Sequence, residues 1–513
     1  MMNRIPETSG QTTSVWMSES VPEPPALTTG AHAEVCIVGA GIAGITLAYC
    51  LIKEGKSVIV LDDRQPGGGM TQRTTAHLSN EIDDTYVEIE RLHGVSSAKL
   101  AAQSHMAAID WIEKTQAHEQ IDCDFIRLPG YLFAPSQEAN QEIEDEWQAI
   151  QRVGLSEVTR LDGLPGNLFP TGRCLRFPRQ AQFHPLKYLS GLTKAVQERG
   201  GRLFSDAHVV TVQGGKKAHV ETSQGCVVTA DAIVVATNTP INNMVGIHTK
   251  QAPYISYVIG AAVQGGTIEP ALYWDTLDPY HYVRLQRGTS QRGEPDVLIV
   301  GGEDHKSGQA DDGEARYARL VAWARERFPI QEVTFRWSGQ VMETVDGLAF
   351  IGRNPGDDEN VYIATGDSGM GMTHGTIAGL LITDLIKGRP SPWASLYDPS
   401  RQPVRAAGDF LRENLNVAKQ YTDWVTKGDV ETEQEIGKDS GAVLREGLTK
   451  VAAYRDEQGV LHKCSAVCPH LKCIVAWNHS EKTWDCPCHG SRFDRMGKVL
   501  NGPALSDLSP IGE

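Results

Sequence analysis

The sequence predicts an α/β Rossmann-like nucleotide-binding domain, an antiparallel-sheet domain set within it, and a small all-β domain at the end. Three observations predict this. A β-branched run, Val35-Cys-Ile-Val38, meets Gly39-Ala-Gly41-Ile-Ala-Gly44 and continues with helical periodicity to Lys53. Between about 250 and 335, apolar residues alternate with polar ones instead of recurring at helical spacing. After Gly441, short apolar runs surround a crowd of Cys and His.

At 513 residues the chain exceeds one ordinary core. The parts read as a disordered or extended segment over 1–32, a nucleotide-binding domain over 33–395, a linker helix over 396–426 and the all-β domain over 427–513. A net charge of −16 argues against nucleic-acid partners, which need clustered Lys and Arg. No stretch reaches the about 20 apolar residues of a membrane span, and the start lacks a basic-then-apolar leader, so the expectation is a cytoplasmic protein. Five of the ten Cys fall between 464 and 488, which suits a cofactor site better than a secreted disulfide framework.

That crowd reads Cys468-Pro-His470-Leu-Lys-Cys473 and Cys486-Pro-Cys488-His489-Gly-Ser491. Each loop contributes one thiolate and one imidazole (Cys468, His470, Cys486, His489), the ligand set of a Rieske [2Fe-2S] cluster. Structural zinc also takes two Cys and two His, but usually pairs like with like in each knuckle.

In the glycine motif, Gly39 permits a tight turn, Gly41 lets backbone approach a pyrophosphate and Gly44 allows helix to pack on strand. Asp62, after the second strand 58–61, lies where a ribose hydroxyl needs a partner. Arg64 joins it among the expected cofactor-binding residues. No second such motif follows a later strand, so one dinucleotide beside an iron–sulfur centre favours bound FAD. The following loop, Gly67 to His77, is small and hydroxylic, and Thr75 is a candidate to line the pyrophosphate or flavin edge. Residues 87–152 read as helices interrupted by a strand pair near Phe125, with the acidic run 142–146 on a solvated helix face. His184-Pro185 opens another helix, as a turn device or a substrate contact. Residues 203–212, 219–228 and 232–238 read as strands. Tyr280, Tyr282 and Arg284 share one face of an alternating strand; Arg284 is either a bidentate clamp for a substrate carboxylate or half of a surface salt bridge. Gly371, Met372 and Thr373 open a helix at a Gly-rich turn, where N–H groups would meet the N1/O2 region of reduced flavin.

With these motifs in place, the chain resembles the FAD-dependent amine oxidoreductases of the D-amino-acid oxidase and glycine/sarcosine oxidase superfamily, in the variety carrying a C-terminal Rieske domain. The resemblance implies that the sheet near 250–335 is the substrate floor, that Val209 offers backbone to adenine and that Ala236-Thr237 close over the FAD. It also implies a role for His77, which sits in a Thr-x-His stretch like the one that attaches flavin covalently in some relatives; a noncovalent His beside the flavin is the other option. Similarity to the Rieske proteins of respiratory and photosynthetic complexes implies a Cys473–Cys488 disulfide clasping the cluster loops. Ser491 matches a hydroxyl that bonds a bridging sulfide there, and Phe493 stands where those proteins have tyrosine.

The expected activity is oxidation of a C–N bond in a small amine or amino acid by hydride transfer to FAD. His77, Tyr280, Tyr282 and Arg284 are the candidate catalytic residues, and electrons would be exchanged through the cluster with a protein or small-molecule donor or acceptor. A redox sensor or electron-transfer module with a structural or regulatory cluster is the alternative. A Rieske oxygenase would need a mononuclear iron triad, for which no His-rich helix is visible.

Overall fold

A computed structural model describes residues 10–242, 246–288, 295–402, 404–424 and 426–511. The nucleotide-binding sheet has eight strands, with Ala31–Val38 at its centre. That strand is flanked in parallel by Val227–Val235 and Val58–Leu61, which continue to Val361–Thr365 and Arg202–Phe204. These strands are apolar because helices cover them, as parallel sheets require. The helices Ile42–Lys53 and Gly371–Ile386 pack against each other. Gly375 and Gly379 make this possible, since a Cβ there would strike Ile42 or Thr46, and Gly44 lets the first helix pack on its own strand turn, where a Cβ would strike the Gly39 carbonyl.

The second sheet has nine strands and is larger than the sequence suggests. Its long strands Gln251–Val263, Asp296–Lys306 and Val333–Thr344 pair antiparallel. It also recruits Ile126–Phe133 and Cys174–Gln182 from the first domain, the former pairing in parallel with Leu272–Asp275. The expected strand pair near Phe125 is therefore one strand whose partners lie far away in sequence. The stretch 203–212 is two strands, because Asp206 takes a left-handed conformation (φ 51°) and turns the chain between them. The stretch 219–228 is likewise a hairpin, made by His219–Thr222 and the start of Val227–Val235.

The final domain holds a three-stranded and a four-stranded sheet, with a core that includes Trp477, Trp484, Cys468 and Cys486. The helix Ala407–Gln420 leads into it. After that helix, Tyr421 Oη donates to the Leu471 carbonyl at 2.6 Å and Trp424 Nε1 to that of Lys472 at 2.9 Å, holding the first Cys–His loop.

One further expectation is corrected, and one alternative is resolved for the described residues. Glu146 is not on a solvated face: it is buried and accepts the N–H groups of Tyr86 (2.8 Å) and Val87 (3.0 Å) at the open end of the helix Thr85–His93. Residues 1–32 read as disordered or extended, and the described part takes the second form. It is an extended strap whose Trp16 is fully buried and donates to the Thr74 carbonyl at 2.6 Å, while Ser14 Oγ donates to that of Gln72.

The strap, the loop carrying Arg73, the second sheet and the last domain meet at Glu481. Its buried carboxylate accepts Thr12 N–H (3.0 Å), Ser338 N–H (3.2 Å) and the Arg73 guanidinium (3.2 Å). Burial alone would push Glu481 up, but Arg73 and Arg492 hold it below the usual carboxylate range. A depressed folded-state value contributes stability above the unfolded-state pKa and loses it as pH falls through the folded one. Glu481→Ala, leaving Arg73 buried without its carboxylate, is expected to cost about 3–5 kcal/mol by urea denaturation at pH 7, with a smaller deficit in acid.

Candidate functional site

A cavity of about 300 Å³ runs between the two sheets. At one end lie Gly39, Gly41, Asp62, Arg64, Val209, Ala236 and Thr237. Gly39 has φ 107° and a Cβ there would collide with the Ala236 carbonyl, so the turn needs glycine. Asp62 accepts Ala40 N–H (2.6 Å) and Arg64 N–H (2.9 Å); burial and neighbouring Asp63 push its carboxyl up. The helices Ile42–Lys53 and Gly371–Ile386 both start at this cavity, with Gly41, Ile42, Gly371 and Met372 on its wall and no side chain capping either start from its N-cap position. Two open helix N-termini on one elongated cavity fit the pyrophosphate and the N1/O2 edge of FAD. Thr373 follows at the second start, but its hydroxyl turns away to His105 Nδ1 (2.8 Å).

At the other end stand Thr75, His77, Trp274, Tyr280 and Tyr282. Tyr280 Oη donates to Asp83 Oδ2 (3.1 Å) and Tyr282 Oη pairs with Ser256 Oγ (2.6 Å). His281, on the opposite face of the strand, pairs with Asp275 and stacks on Trp323. His77 holds Thr75 Oγ1 at 3.0 Å and the Val283 carbonyl at 3.3 Å, so both ring nitrogens are engaged. Burial, then the charge of Arg284, pulls it down to about 3, so it is neutral. A covalent flavin bond would have to displace one of those contacts.

Arg284 is corrected. It lies on the tyrosine side of its strand but is fully buried behind the cavity, and donates to the carbonyls of Thr75, Ala76 and Phe183 at 3.0–3.1 Å. Its guanidinium also covers the Trp16 ring. With Nη1 taken by three carbonyls and Nη2 donating to Gln286 Oε1, it positions the loop carrying His77 and is turned away from the cavity. His184 is a turn device, accepting Lys187 N–H at the head of its helix and packing on Trp16.

In the last domain, Cys473 and Cys488 form a disulfide with Cα atoms 6.5 Å apart. The thiols of Cys468 and Cys486 lie within hydrogen-bonding reach of each other. The rings of His470 and His489 stand edge to face at 5.0 Å. All four are buried, and two thiols with two imidazoles on two clasped loops are a donor set that fits a [2Fe-2S] cluster. Ser491 Oγ accepts Ala504 N–H at 3.0 Å and hydrogen-bonds Cys468; Phe493 is fully buried.

Sequence reasoning missed how closely the two centres are joined. His248, from the first domain, packs its ring against both His470 (5.1 Å) and His489 (5.7 Å). Gln340, on the cavity wall, donates to the carbonyl of Gly490 at 2.8 Å, next to His489. Val499, Leu500, Asn501, Gly502 and Ala504 of the last domain line the cavity itself. No local pattern marks these residues, because their partners lie 150 or more positions away.

Residues 34–385 match the family of FAD dependent oxidoreductases, and 425–511 match the Rieske [2Fe-2S] domain. The chain belongs to the FAD-dependent oxidoreductase family. YhfW of Bacillus subtilis (strain 168), named only as a Rieske 2Fe-2S iron–sulfur protein, is 32% identical to this oxidoreductase over 96% of each chain. Gamma-glutamylputrescine oxidoreductase of Escherichia coli (strain K12) is 26% identical over 69% of this chain and 84% of its own. Glycine oxidase from Geobacillus kaustophilus superposes with a TM-score of 0.60 at 17% identity, covering 72% of this chain and 99% of that one, a likeness of fold. The oxidoreductase takes FAD and a [2Fe-2S] cluster, and no helix among its described residues is long and apolar enough to cross a membrane.

The hydrophobic site of Phe493 bears on the cluster's potential, since each hydrogen bond to the cluster sulfurs favours the reduced state. Phe493→Tyr is expected to raise the midpoint potential by roughly 40 mV, the one-electron equivalent of a hydrogen bond of about 1 kcal/mol. Redox titration followed by EPR checks this.

Proposed function

We propose that the oxidoreductase oxidises a C–N bond of an amine or amino acid and exchanges the resulting electrons with its own Rieske cluster. When bound, FAD supplies the hydride acceptor and the cluster a one-electron carrier. The observation carrying this reading is the shared wall: the last domain closes the cavity with Val499–Ala504, and His248 and Gln340 tie the first domain to the cluster loops.

The chain's own part is positioning and exclusion of water. Tyr280 and Tyr282 present hydroxyls held by Asp83 and Ser256. Trp274 and neutral His77 close the apolar side, and Arg284 holds the His77 loop from behind. No dedicated nucleophile is needed, because orientation of substrate against cofactor is what the protein must provide.

Anaerobic stopped-flow mixing with amines and amino acids tests the reading. The expected result is bleaching of the flavin followed by the EPR signal of reduced cluster. If the flavin bleaches while the cluster stays oxidised, the exchange part is wrong. If no amine or amino acid bleaches it, the C–N part is wrong.

A further inference from the structure

The tyrosine end of the cavity is walled by carboxylates. Glu81 and Asp83 follow the strand His77–Leu78, and Asp367 precedes the helix Gly371–Ile386; all three line the cavity. Asp304 and Glu343 stand behind them, close enough to raise one another's affinity for protons. Burial, then Asp304 and Asp367, pushes Asp83 up to about 7. Burial takes Asp367 to about 6.

Among the described residues, no Lys or Arg forms an ion pair with Glu81, Asp83, Glu343 or Asp367. The two arginines on the cavity wall are engaged elsewhere: Arg64 with Asp63 and Asn501, Arg73 with Glu481 and the strap. Arg284 is taken up by backbone carbonyls and Gln286, as above.

Glu81 supplies an independent observation. It is 5% exposed, and its carboxylate has neither a hydrogen bond nor an ion pair, although it lies on the cavity wall. An ionised carboxylate left so is strongly disfavoured unless a cation reaches it. The nearby charges raise its proton affinity and do not relieve it: burial first, then Asp83 and Glu146. A metal ion is a poor candidate. Among the described residues, the one group of three or more His, Cys, Asp or Glu with ligand atoms within 4.8 Å of one another is Cys473, Cys486 and Cys488 in the cluster domain.

We propose that the substrate is a cationic amine without a carboxylate beside its reacting carbon, an alkyl diamine, and that Glu81 and Asp83 bind the ammonium group that does not react. This rests on the C–N reading above and narrows it. An α-amino acid would bring its own carboxylate against Glu81, Asp83 and Asp367 with no guanidinium to receive it. The two oxygens of Glu81 and the Oδ1 of Asp83, whose Oδ2 takes the Tyr280 hydroxyl, are acceptors suited to –NH₃⁺.

Matched probes separate the outcomes. 1,4-Diaminobutane and ornithine share a carbon frame and differ by the α-carboxylate, as do 1,5-diaminopentane and lysine. With the holoenzyme under anaerobic conditions, the diamine of each pair is expected to bleach the flavin and the amino acid is not. The diamine should also raise the melting temperature of the wild-type holoenzyme. Glu81→Gln and Asp83→Asn, both near-isosteric, should each raise the KM for the diamine about 10- to 100-fold, as loss of a charged hydrogen bond predicts, and abolish the thermal shift. Preferential bleaching by the amino acids would overturn the amine assignment and leave C–N oxidation standing. Bleaching by diamines that is unchanged in both variants would overturn the role of Glu81 and Asp83. If neither class bleaches the flavin, the C–N reading fails and this one fails with it. Should one variant not fold, the other variant and the wild-type comparison still decide.

Discussion

The structure depends on a carboxylate that sits outside both redox sites. Glu481 belongs to the turn before the strand Thr483–Asp485, yet its partners are Thr12 of the strap, Arg73 of the flavin loop and Ser338 of the second sheet. A buried ion pair is weak as a source of net stability but costly to break, so its value is one of specificity. Here the specificity is domain placement. If the last domain shifted, an ionised group would be stranded on each side. Rotation of the Rieske domain away from the cavity is thereby opposed, and with it any loss of the contact between His248 and the cluster histidines.

That placement changes how the cluster can be used. His470 and His489 are buried, and part of what covers them is His248 of the first domain. An outside redox protein does not reach them by the face that His248 occupies. The same docking gives the cavity one wall from the last domain, so the flavin site is incomplete without it. The two matched families therefore act as one site built from two ends of the chain, and the cluster domain is a structural part of the flavin pocket.

The family and both cofactors were legible in the sequence because their marks are local. The glycine turn occupies six positions, and the two cluster loops each bring a Cys and a His within four. What could not be read is whatever depends on distant partners. Alternation puts Arg284 on the tyrosine face of its strand, but nothing local says that the carbonyls of Thr75, Ala76 and Phe183 converge on it. Glu146 reads as one more solvated acid in its run, because the helix start that it caps lies 60 positions earlier. His248 and the strap residue Trp16 carry no pattern at all. Composition leaves residues 1–32 either disordered or extended; the described part is extended because Thr12, Ser14 and Trp16 find partners at Glu481, Gln72 and Thr74, which no local pattern announces.

The cavity is sorted by sign of charge. At the nucleotide end, the helix Ile42–Lys53 opens onto the cavity, which favours anions such as the pyrophosphate of a dinucleotide, while the start of Gly371–Ile386 lies beside Asp83 and Asp367. At the tyrosine end, Glu81, Asp83 and Asp367 favour cations. Within one low-dielectric space these fields extend further than they would in water, so each end attracts its own ligand and rejects the other's. The acid cluster costs the apo protein stability, since burial raises the proton affinity of each of these groups. Its persistence so close to the tyrosines is understandable if a positively charged ligand relieves it. On the proposed reading, the negative wall serves specificity before chemistry, by disfavouring the α-carboxylate that a more neutral pocket of the same shape would admit.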